Sequence, residues 1–467
     1  MVFSDSIFLF FFLPIVLLVY FLLRGRTARN LLLTFMSLIF YAWGEPVFVL
    51  TMLLSITVNW LGGLGVGWPG ASEKRRKWAL TLAVIFNLGL LGVYKYLMFI
   101  MSNLNWAFGL GWPVPKIALP IGISFFTFQA MSYVIDVYRG NGAMQKNFFN
   151  VCLYVSFFPQ LIAGPIVRYE TVAAEIEERH ENPDEFAAGC RRFLIGLCKK
   201  VLLANTLAML ADDAFVLPAG ELSTAAAWLG AFAYHWQVYF DFSGYSDMAI
   251  GMGWMFGFHF LENFNYPMMS RSITEFWRRW HISLGTWFRD YLFFPMGGSR
   301  VKKGRAIFNM FVVWALTGLW HGAAWTFLMW GLGFFVLLVI EKYTPFGKWI
   351  GKRPLGYLYT TAMVLTVTVL IKAATLPQAG RFIAAMYGAA GRGFWDATAT
   401  MYVREYGWFV LAGVVASLPV GPFIRRTLRI SDNAMQVLGG IGLLAAFVLA
   451  LSYVVMGGYN PFIYFNF

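Results

Sequence analysis

The stretch AIFNMFVVWALTGLWHGAAWTFLMWGLGFFVLLVI, residues 306–340, contains no aspartate, glutamate, lysine or arginine. Its apolar runs at 306–319 and 323–340 meet at His321. A helix needs roughly 20 apolar residues to cross a bilayer, and shorter apolar helices can lie inside a larger bundle. The stretch therefore predicts two membrane-embedded helices that are separated by a break at a histidine.

The rest of the chain has the same character. Of its 467 residues, 59% are apolar and only 13% are charged, whereas a soluble domain carries about 25% charged residues. Further apolar runs lie at 6–23, 30–45, 47–67, 78–99, 119–137, 148–166, 201–216, 222–260, 355–373, 406–420 and 436–456. We therefore expect an all-α polytopic membrane protein in which residues 1–467 form one transmembrane domain.

Basic residues mark the orientation of the first helices. They cluster at 24–29, 74–77 and 139–146, in alternate loops, and short basic loops face the cytoplasm. This places the N-terminus outside. The segments 168–200 and 270–305 are too polar to span a bilayer, and we expect them at the cytoplasmic face or in the interface.

The first apolar run and the net positive charge both have simple explanations in a membrane protein. The first apolar run follows Asp5 and precedes Arg24, the reverse of a signal peptide, so we expect a retained helix. The net charge of +13, from 36 basic and 23 acidic residues, is explained by membrane orientation. Because there is no basic soluble domain, we expect no nucleic-acid partner.

His321 is the strongest candidate for chemistry. An ionisable group in an apolar region is costly and should face a cavity or a partner. Nearby Gly318 and Gly322 allow a backbone break and close approach of a ligand. A neutral imidazole can take a proton from a hydroxyl, or attack an acyl donor itself. The alternative is a structural histidine that caps a broken helix.

His281 lies in the second candidate segment, EFWRRWHIS at 275–283. A continuous helix there would place on one face Trp277, Trp280, His281 and Leu284. Arg278 and Arg279 would then be able to meet the phosphates of a nucleotide-bearing donor. Equally, the segment would suit an interfacial helix with snorkelling arginines.

A third cluster lies in QVYFDFSGYSD at 237–247. Asp241 and Asp247 would be costly in lipid without partners, and we favour a structural role in which they pair with arginines. Gly244 and Gly251 are possible helix breaks. Among the other histidines, we expect His180 in solvent, and His235 and His259 as hydrogen-bonded core residues.

Several catalytic classes are excluded by their motifs. The chain has no Walker loop, dinucleotide-binding glycine fingerprint, HExxH or GxSxG motif,. Its three cysteines have neither metal-site nor disulfide spacing. We expect no metal and no permanently bound cofactor, which leaves a histidine catalyst in a membrane cavity.

An ordered set of motifs resembles the membrane-bound O-acyltransferase family, specifically its bacterial alginate O-acetyltransferase branch. The matching pieces are MVFS (1–4), LPIGISF (119–125), FPQLIAGP (158–165), YFDFSGYSD (239–247), ENFN (262–265), ITEFWRRWHISL (273–284), GLWHGA (318–323) and PFIYF (461–465). Single pieces have little specificity. Together they span nearly the whole chain in the family's order.

The resemblance implies a fold and a site. The fold would be a ring of about 11–13 membrane helices around a thin centre, with cytoplasmic and periplasmic funnels and re-entrant or interfacial helices. His321 matches the family's essential histidine, and His281 matches its upstream partner position. The implied donor- and tunnel-binding residues are Arg278, Arg279, Trp280, Trp320, Asp241, Ser243, Asp247 and Asn309.

The resemblance also implies a function in the bacterial inner membrane. Acetyl-CoA would supply an acetyl group from the cytoplasm, and a periplasmic acetyltransferase partner would complete O-acetylation of an exopolysaccharide such as alginate. Two alternatives remain open within the membrane: transfer of another acyl group, as in D-alanylation of teichoic acid, or a transporter or flippase without chemistry. A scaffold in a synthase complex would tolerate the loss of both histidines.

Overall fold

The computed structural model describes residues 1–389, 392–428 and 431–462. Within these ranges the secondary structure is helical and no β-strand occurs, so the predicted all-α class is confirmed. The helices group into two compact units. Unit 1 comprises Met1–Phe193 and Tyr245–Leu261; unit 2 comprises Leu194–Gly244 and the described residues from Glu262 onward. Residues 463–465 of the last sequence motif lie outside the described ranges.

Unit 1 is built mainly from the N-terminal helices. Its α-helices are α1 (Leu13–Leu22), α2 (Arg26–Ala42), α3 (Phe48–Gly67), α4 (Glu73–Leu91), α5 (Leu97–Phe108), α6 (Ile123–Arg139), α7 (Phe148–Ser156), α8 (Phe158–Leu161), α9 (Tyr169–Glu177) and most of α10 (Pro183–Cys198). Its interior is rich in aromatic side chains, including Phe3, Phe8, Phe40 and Phe158.

Unit 2 contains the segment between 270 and 340 on which the candidate site depends. Its α-helices are α11 (Asn205–Val216), most of α12 (Thr224–Met255), α13 (Ile273–Arg279), α14 (Ile282–Phe288), α15 (Lys303–His321), α16 (Trp325–Tyr343), α17 (Pro345–Ile350), α18 (Leu355–Lys372), α19 (Leu376–Met386), α20 (Ala397–Ala416), α21 (Val420–Leu428) and α22 (Asp432–Val455).

Six helical stretches of the described chain are long and apolar enough to cross a membrane. They are Phe48–Gly67, Glu73–Phe108, Pro183–Val216, Trp325–Tyr343, Leu355–Lys372 and Gln436–Val455. A shorter apolar helical stretch covers Phe8–Leu22. The chain therefore has the segments of a multi-pass membrane protein, while the expected ring and its 11–13 helices stay predictions.

Long helix α12 runs through both of its predicted breaks. The two glycines instead permit close packing: a Cβ on Gly251 would lie 2.6 Å from the carbonyl oxygen of Gly189, and one on Gly244 would lie 2.7 Å from that of Gly196. Both distances are shorter than the 3.0 Å below which real Cβ atoms essentially never approach another atom. The break prediction is thus wrong, because these glycines serve helix contact rather than backbone turning.

Unit 1 contains a buried polar cluster around Arg179, which is only 4% exposed. The Arg179 guanidinium donates to the Asn30 side-chain oxygen at 2.8 Å, to the Phe256 carbonyl at 2.9 Å and to the Tyr20 hydroxyl at 3.0 Å. Glu181 accepts hydrogen bonds from Tyr20 and neighbouring arginines. The polar segment 168–200 is anchored to the apolar helices through this cluster.

His259 is not the core residue that its apolar neighbours predict. Its side chain is 51% exposed, and its Nδ1 lies 2.7 Å from Glu175 Oε1. Glu185 lies 3.5 Å from the other ring nitrogen. Partial burial alone would lower the pKa of His259, but the hydrogen bond and charge of Glu175, with the charge of Glu185, raise it,.

Candidate functional site

The segment around His281 does not form the continuous helix that its sequence predicts. α13 ends before His281 and α14 begins after it, and His281 itself has a left-handed backbone with φ +45°. Two backbone hydrogen bonds fix this turn: Ile282 N–H donates to the Asn263 carbonyl at 3.0 Å, and Asn265 N–H donates to the Arg279 carbonyl at 2.9 Å. The position of the imidazole is therefore set by this turn and not by helix periodicity.

The side chain of Asn263 determines the tautomer of His281. Its Oδ1 accepts hydrogen bonds from Ser283 N–H at 3.3 Å, from the Ser283 hydroxyl at 2.9 Å and from His281 Nδ1 at 3.1 Å. Because a backbone N–H can only donate, the atom facing it must be the amide oxygen. Nδ1 of a neutral His281 therefore carries the proton. Its Nε2 is a bare acceptor, buried and without a hydrogen-bond partner among the described residues.

His321 is the last residue of α15, where the chain turns into α16. The two helices approach closely through glycines. A Cβ on Gly318 would lie 2.5 Å from the Phe327 carbonyl oxygen, and one on Gly331 would lie 2.3 Å from that of Trp314. The hairpin thus requires glycine at both positions. This close packing of α15 against α16 fixes the position of His321 at the end of α15.

Aromatic rings surround the two histidines. The ring centroids of His281 and His321 are 6.3 Å apart. Trp320 lies 4.9 Å from His321, and Trp330 meets it edge-on at 5.0 Å. Phe242 meets His281 edge-on at 4.5 Å. The structure therefore brings the two predicted catalytic residues together among aromatic rings, with His281 buried and His321 partly exposed.

A cavity of about 720 Å³ lies beside these helices in unit 2. Four of its lining residues are cationic: Arg278, Arg289, Lys342 and Lys348. Its apolar wall comes from α15 and α16. The one carboxylate on its lining, Glu341, accepts hydrogen bonds from the first backbone N–H groups of α13 at 2.7 and 2.8 Å. The cavity is therefore suited to a ligand with several negative charges.

The two predicted donor-binding arginines differ in their environment. Arg278 is exposed on the cavity lining. Arg279 forms an ion pair with Glu275 at 2.9 Å and donates to the Asn265 carbonyl at 3.1 Å. The guanidinium of Arg279 is thus used to hold the turn before His281, whereas that of Arg278 faces the cavity.

Predicted carboxylates have two different partners. Asp247 pairs with Arg192 at 3.0 Å, as expected. Asp241 pairs with Lys200 at 2.7 Å, a lysine in addition to the arginine that we expected. Both members of the second pair are nearly fully buried. Ser243, in the same part of α12, is buried.

Two further predicted residues pack in the histidine region, and a third holds a turn near the start of α15. Trp280 is buried and stacks on Phe276. Trp320 is buried against His321. Asn309 donates to two backbone carbonyls, those of residues 296 and 298, at 3.1 Å each. Asn309 therefore holds the turn that leads into the cavity lining.

Sequence reasoning missed Asn263, Lys200 and Glu341 as parts of this region. Asn263 had a signal, because it lies in the ENFN motif at 262–265. Lys200 and Glu341 had only the general signal of an ionisable residue beside an apolar run. Their partners are distant in sequence, and no local pattern reveals such pairs.

Comparison with known proteins decides the family. A sequence model described as MBOAT, membrane-bound O-acyltransferase family, matches residues 143–347, which include both histidines. A relative from Pseudomonas putida, named "Probable alginate O-acetylase AlgI", is 40% identical over the full length of both chains. The chain belongs to the membrane-bound O-acyltransferase family. As a member of this family it is a multi-pass membrane O-acyltransferase, which confirms the predicted family and enzyme class.

Other members of the family are similar over most of the chain. The Pseudomonas aeruginosa protein named "Probable alginate O-acetylase AlgI" is 43% identical over 89% of this chain and 80% of its own length. A Helicobacter pylori protein named "Peptidoglycan O-acetyltransferase" is 34% identical over 84% of this chain and 80% of its own. These names give two polysaccharide acceptors for relatives within one family.

Proposed function

We propose that this membrane-bound O-acyltransferase moves an acetyl group from cytoplasmic acetyl-CoA across the bacterial inner membrane for O-acetylation of an exopolysaccharide such as alginate. A periplasmic acetyltransferase partner would complete the transfer to the polymer. Support comes from the full-length similarity to proteins named alginate O-acetylase. The observation that carries the chemistry is the close pair formed by His281 and His321.

His321 serves as the general base in this proposal. Its imidazole accepts the proton of the acceptor hydroxyl while the hydroxyl oxygen attacks the thioester carbonyl carbon. The carbon–sulfur bond then breaks, and the departing thiolate takes the proton from the imidazolium. In a second version of the same proposal, His321 itself carries the acetyl group between donor and acceptor.

His281 orients the donor in this proposal. Its neutral ring presents a bare Nε2, which accepts hydrogen bonds and cannot donate one to a carbonyl oxygen. The amide N–H groups of the pantetheine arm of acetyl-CoA are suitable donors. Orientation therefore fits this tautomer better than polarisation of the thioester, which would require a protonated Nε2.

The basic cavity supports acetyl-CoA as the donor. Arg278 with the other lining cations would hold the phosphates, since guanidinium and ammonium groups are the usual phosphate ligands of proteins. Arg279 contributes indirectly by fixing the backbone turn. Asp241 and Asp247 order the wall of the tunnel through their ion pairs with Lys200 and Arg192.

His321→Ala tests the catalytic assignment. In cells that lack their own copy, we expect the acetyl content of the secreted polymer to fall at least about 100-fold, with an unchanged amount of the protein in the membrane. The matched control is His180→Ala, which changes an exposed histidine. Normal polymer acetylation by the His321 variant would show that the assignment is wrong.

The donor is tested separately with acetyl-CoA that carries a labelled acetyl group. We expect washed membranes that contain the protein to transfer the acetyl group to water and release free CoA thiol, and membranes with His321→Ala to release none above background. Thiol release that appears only after a cytosolic carrier protein is added would replace acetyl-CoA with a carrier-bound donor and leave the acyltransferase itself intact.

A further inference from the structure

His235 repeats the hydrogen-bonding arrangement of His281. It lies on α12 and is 3% exposed. The Thr368 hydroxyl donates to the Val364 carbonyl at 2.7 Å, and the same oxygen lies 3.3 Å from His235 Nδ1. Since the hydroxyl proton is already used, the oxygen accepts from Nδ1–H. Nε2 of His235 is left as a bare acceptor without a partner among the described residues.

Such an acceptor is costly to keep for stability alone. A buried polar atom without a hydrogen bond costs about 1–3 kcal/mol of folding free energy. A phenylalanine would also offer an aromatic ring for packing. His235 stacks on Trp280, with ring centroids 5.2 Å apart and 24° between the planes. Trp280 directly precedes His281. Two histidines with the same tautomer thus flank one tryptophan.

The position of His235 along α12 indicates which reactant it meets. His235 precedes Phe242, the residue that contacts His281, by seven residues, or about 10 Å along a helix axis. α12 leads towards the basic segment 270–305, which the positive-inside rule places at the cytoplasmic face. His235 therefore lies on the outward side of the level of His281.

We propose, building on the proposed acetyl transfer, that His235 Nε2 accepts a hydrogen bond from the attacking hydroxyl group and positions it for transfer. The hydroxyl belongs to the outward acceptor, either a sugar of the polymer or a hydroxyl side chain of the periplasmic partner. His235 takes no proton, because the proton goes to His321. His281 faces the donor and His235 faces the acceptor.

The test separates the donor and acceptor halves of the reaction. The donor half is hydrolysis of acetyl-CoA in isolated membranes that lack the polymer and the partner. Water takes the acetyl group as acetate, CoA thiol is released, and the rate is measured as the excess over the His321→Ala variant. The acceptor half is the acetyl content of the polymer made by intact cells. For His235→Phe we expect donor-half activity within about twofold of the wild type, and polymer acetylation lower by about tenfold or more. Its melting temperature should equal or exceed that of the wild type, since the unpaired nitrogen is gone.

Two amide variants guard against a folding artefact. The Gln side chain places its terminal group near the position of Nε2, whereas the Asn side chain reaches only the position of Nδ1. We therefore expect His235→Gln to retain a measurable part of polymer acetylation and His235→Asn to lose it. The matched control is Trp236→Phe. This change also removes a buried ring nitrogen without a partner among the described residues, but the Trp236 ring stacks on Phe232. This control should acetylate normally.

Each contrary result has one meaning. Polymer acetylation within twofold of the wild type for His235→Phe would overturn the role of His235. An equal fall of both halves in a folded variant would also overturn it, because His235 would then act through Trp280 on the histidine pair. A wild-type protein that supports neither half would instead overturn the proposed function.

Discussion

The buried polar cluster of unit 1 and the histidine region of unit 2 use hydrogen bonds in opposite ways. The guanidinium of Arg179 donates to side-chain and backbone acceptors from several elements. His281 is equally buried, yet its Nε2 has no partner among the described residues. A satisfied network stabilises one conformation, whereas an unsatisfied acceptor is available to a reactant. In the proposed function, this difference separates residues that hold the fold from residues that act on a substrate.

The variant Arg179→Gln tests this comparison with the largest expected effect. Removing a buried cation from its partners costs about 3–5 kcal/mol, so we expect a large fall in monodisperse protein on size-exclusion chromatography. Acetylation per folded molecule should stay unchanged. The control Arg75→Gln changes an exposed arginine of the same unit and should leave the yield unaltered. A folded Arg179 variant with a specific loss of activity would contradict the division of roles.

His281→Ala should show the converse pattern. We expect polymer acetylation to fall about 100-fold, equivalent to roughly 2.7 kcal/mol, with a normal yield of folded protein. His281→Asn should retain a measurable part, because asparagine tolerates a left-handed backbone and its amide oxygen can accept a hydrogen bond. Equal activity of the alanine variant and the wild type would remove His281 from the reaction.

The hairpin of α15 and α16 sharpens the comparison, because close glycine contacts set its geometry. Gly331→Ala forces a methyl group into the carbonyl oxygen of Trp314. We expect a loss of about 1–3 kcal/mol in stability, seen as a lower melting temperature, together with lower activity. Gly304→Ala, at the start of the partner helix α15, introduces a Cβ that meets no atom within 4 Å and should be neutral. An unaffected Gly331 variant would show that the hairpin can separate without cost.

The variant Glu181→Gln should have the smallest effect on stability. It also tests how the stability of the unit 1 cluster depends on pH. Burial would raise the pKa of Glu181, but hydrogen bonds from Arg26 and Tyr20 lower it from 4.5 to about 2. A depressed pKa stabilises the fold above the unfolded value of about 4.5, and this contribution is lost as the pH falls towards 2. Because Glu181 is partly solvated, we expect a difference of only about 1–2 kcal/mol at pH 7.

That difference should narrow when melting temperatures are compared from pH 5 down to pH 3. The control Glu170→Gln removes a partly exposed carboxylate, 3.4 Å from Arg168, and should change stability by less than about 0.5 kcal/mol. A constant gap between the Glu181 variant and the wild type across this range would mean that its ionised form is not what stabilises the cluster.

Much of this architecture could be predicted from the sequence. The series of long apolar runs gives the helical membrane class, and His321 is conspicuous as the only ionisable residue of the stretch 306–340. The pairing of His281 with His321 was implied by resemblance to a family, because forty residues separate them and no periodicity connects such positions. The structure places their ring centroids 6.3 Å apart.

The failures have a common physical cause. The backbone turn at His281, the continuity of α12 and the exposure of His259 are all decided by contacts with distant segments. Asn263 fixes the first, and packing against Gly196 and Gly189 accounts for the second. Local propensity cannot represent such contacts. The partner of Asp241 was missed for the same reason, since Lys200 lies on another helix.

The hairpin of α15 and α16 also has a consequence for biosynthesis. Basic residues, including Lys303 and Lys342, stand at both open ends, and none of the four charged residue types occurs from 306 to 340. Positive charges stay on the cytoplasmic side during insertion, so the two helices enter the bilayer together from that side. His321, at the apex, is carried inward by the same movement. In the proposed function, the chain would thus carry its catalytic histidine away from the cytosolic face as soon as the hairpin has inserted.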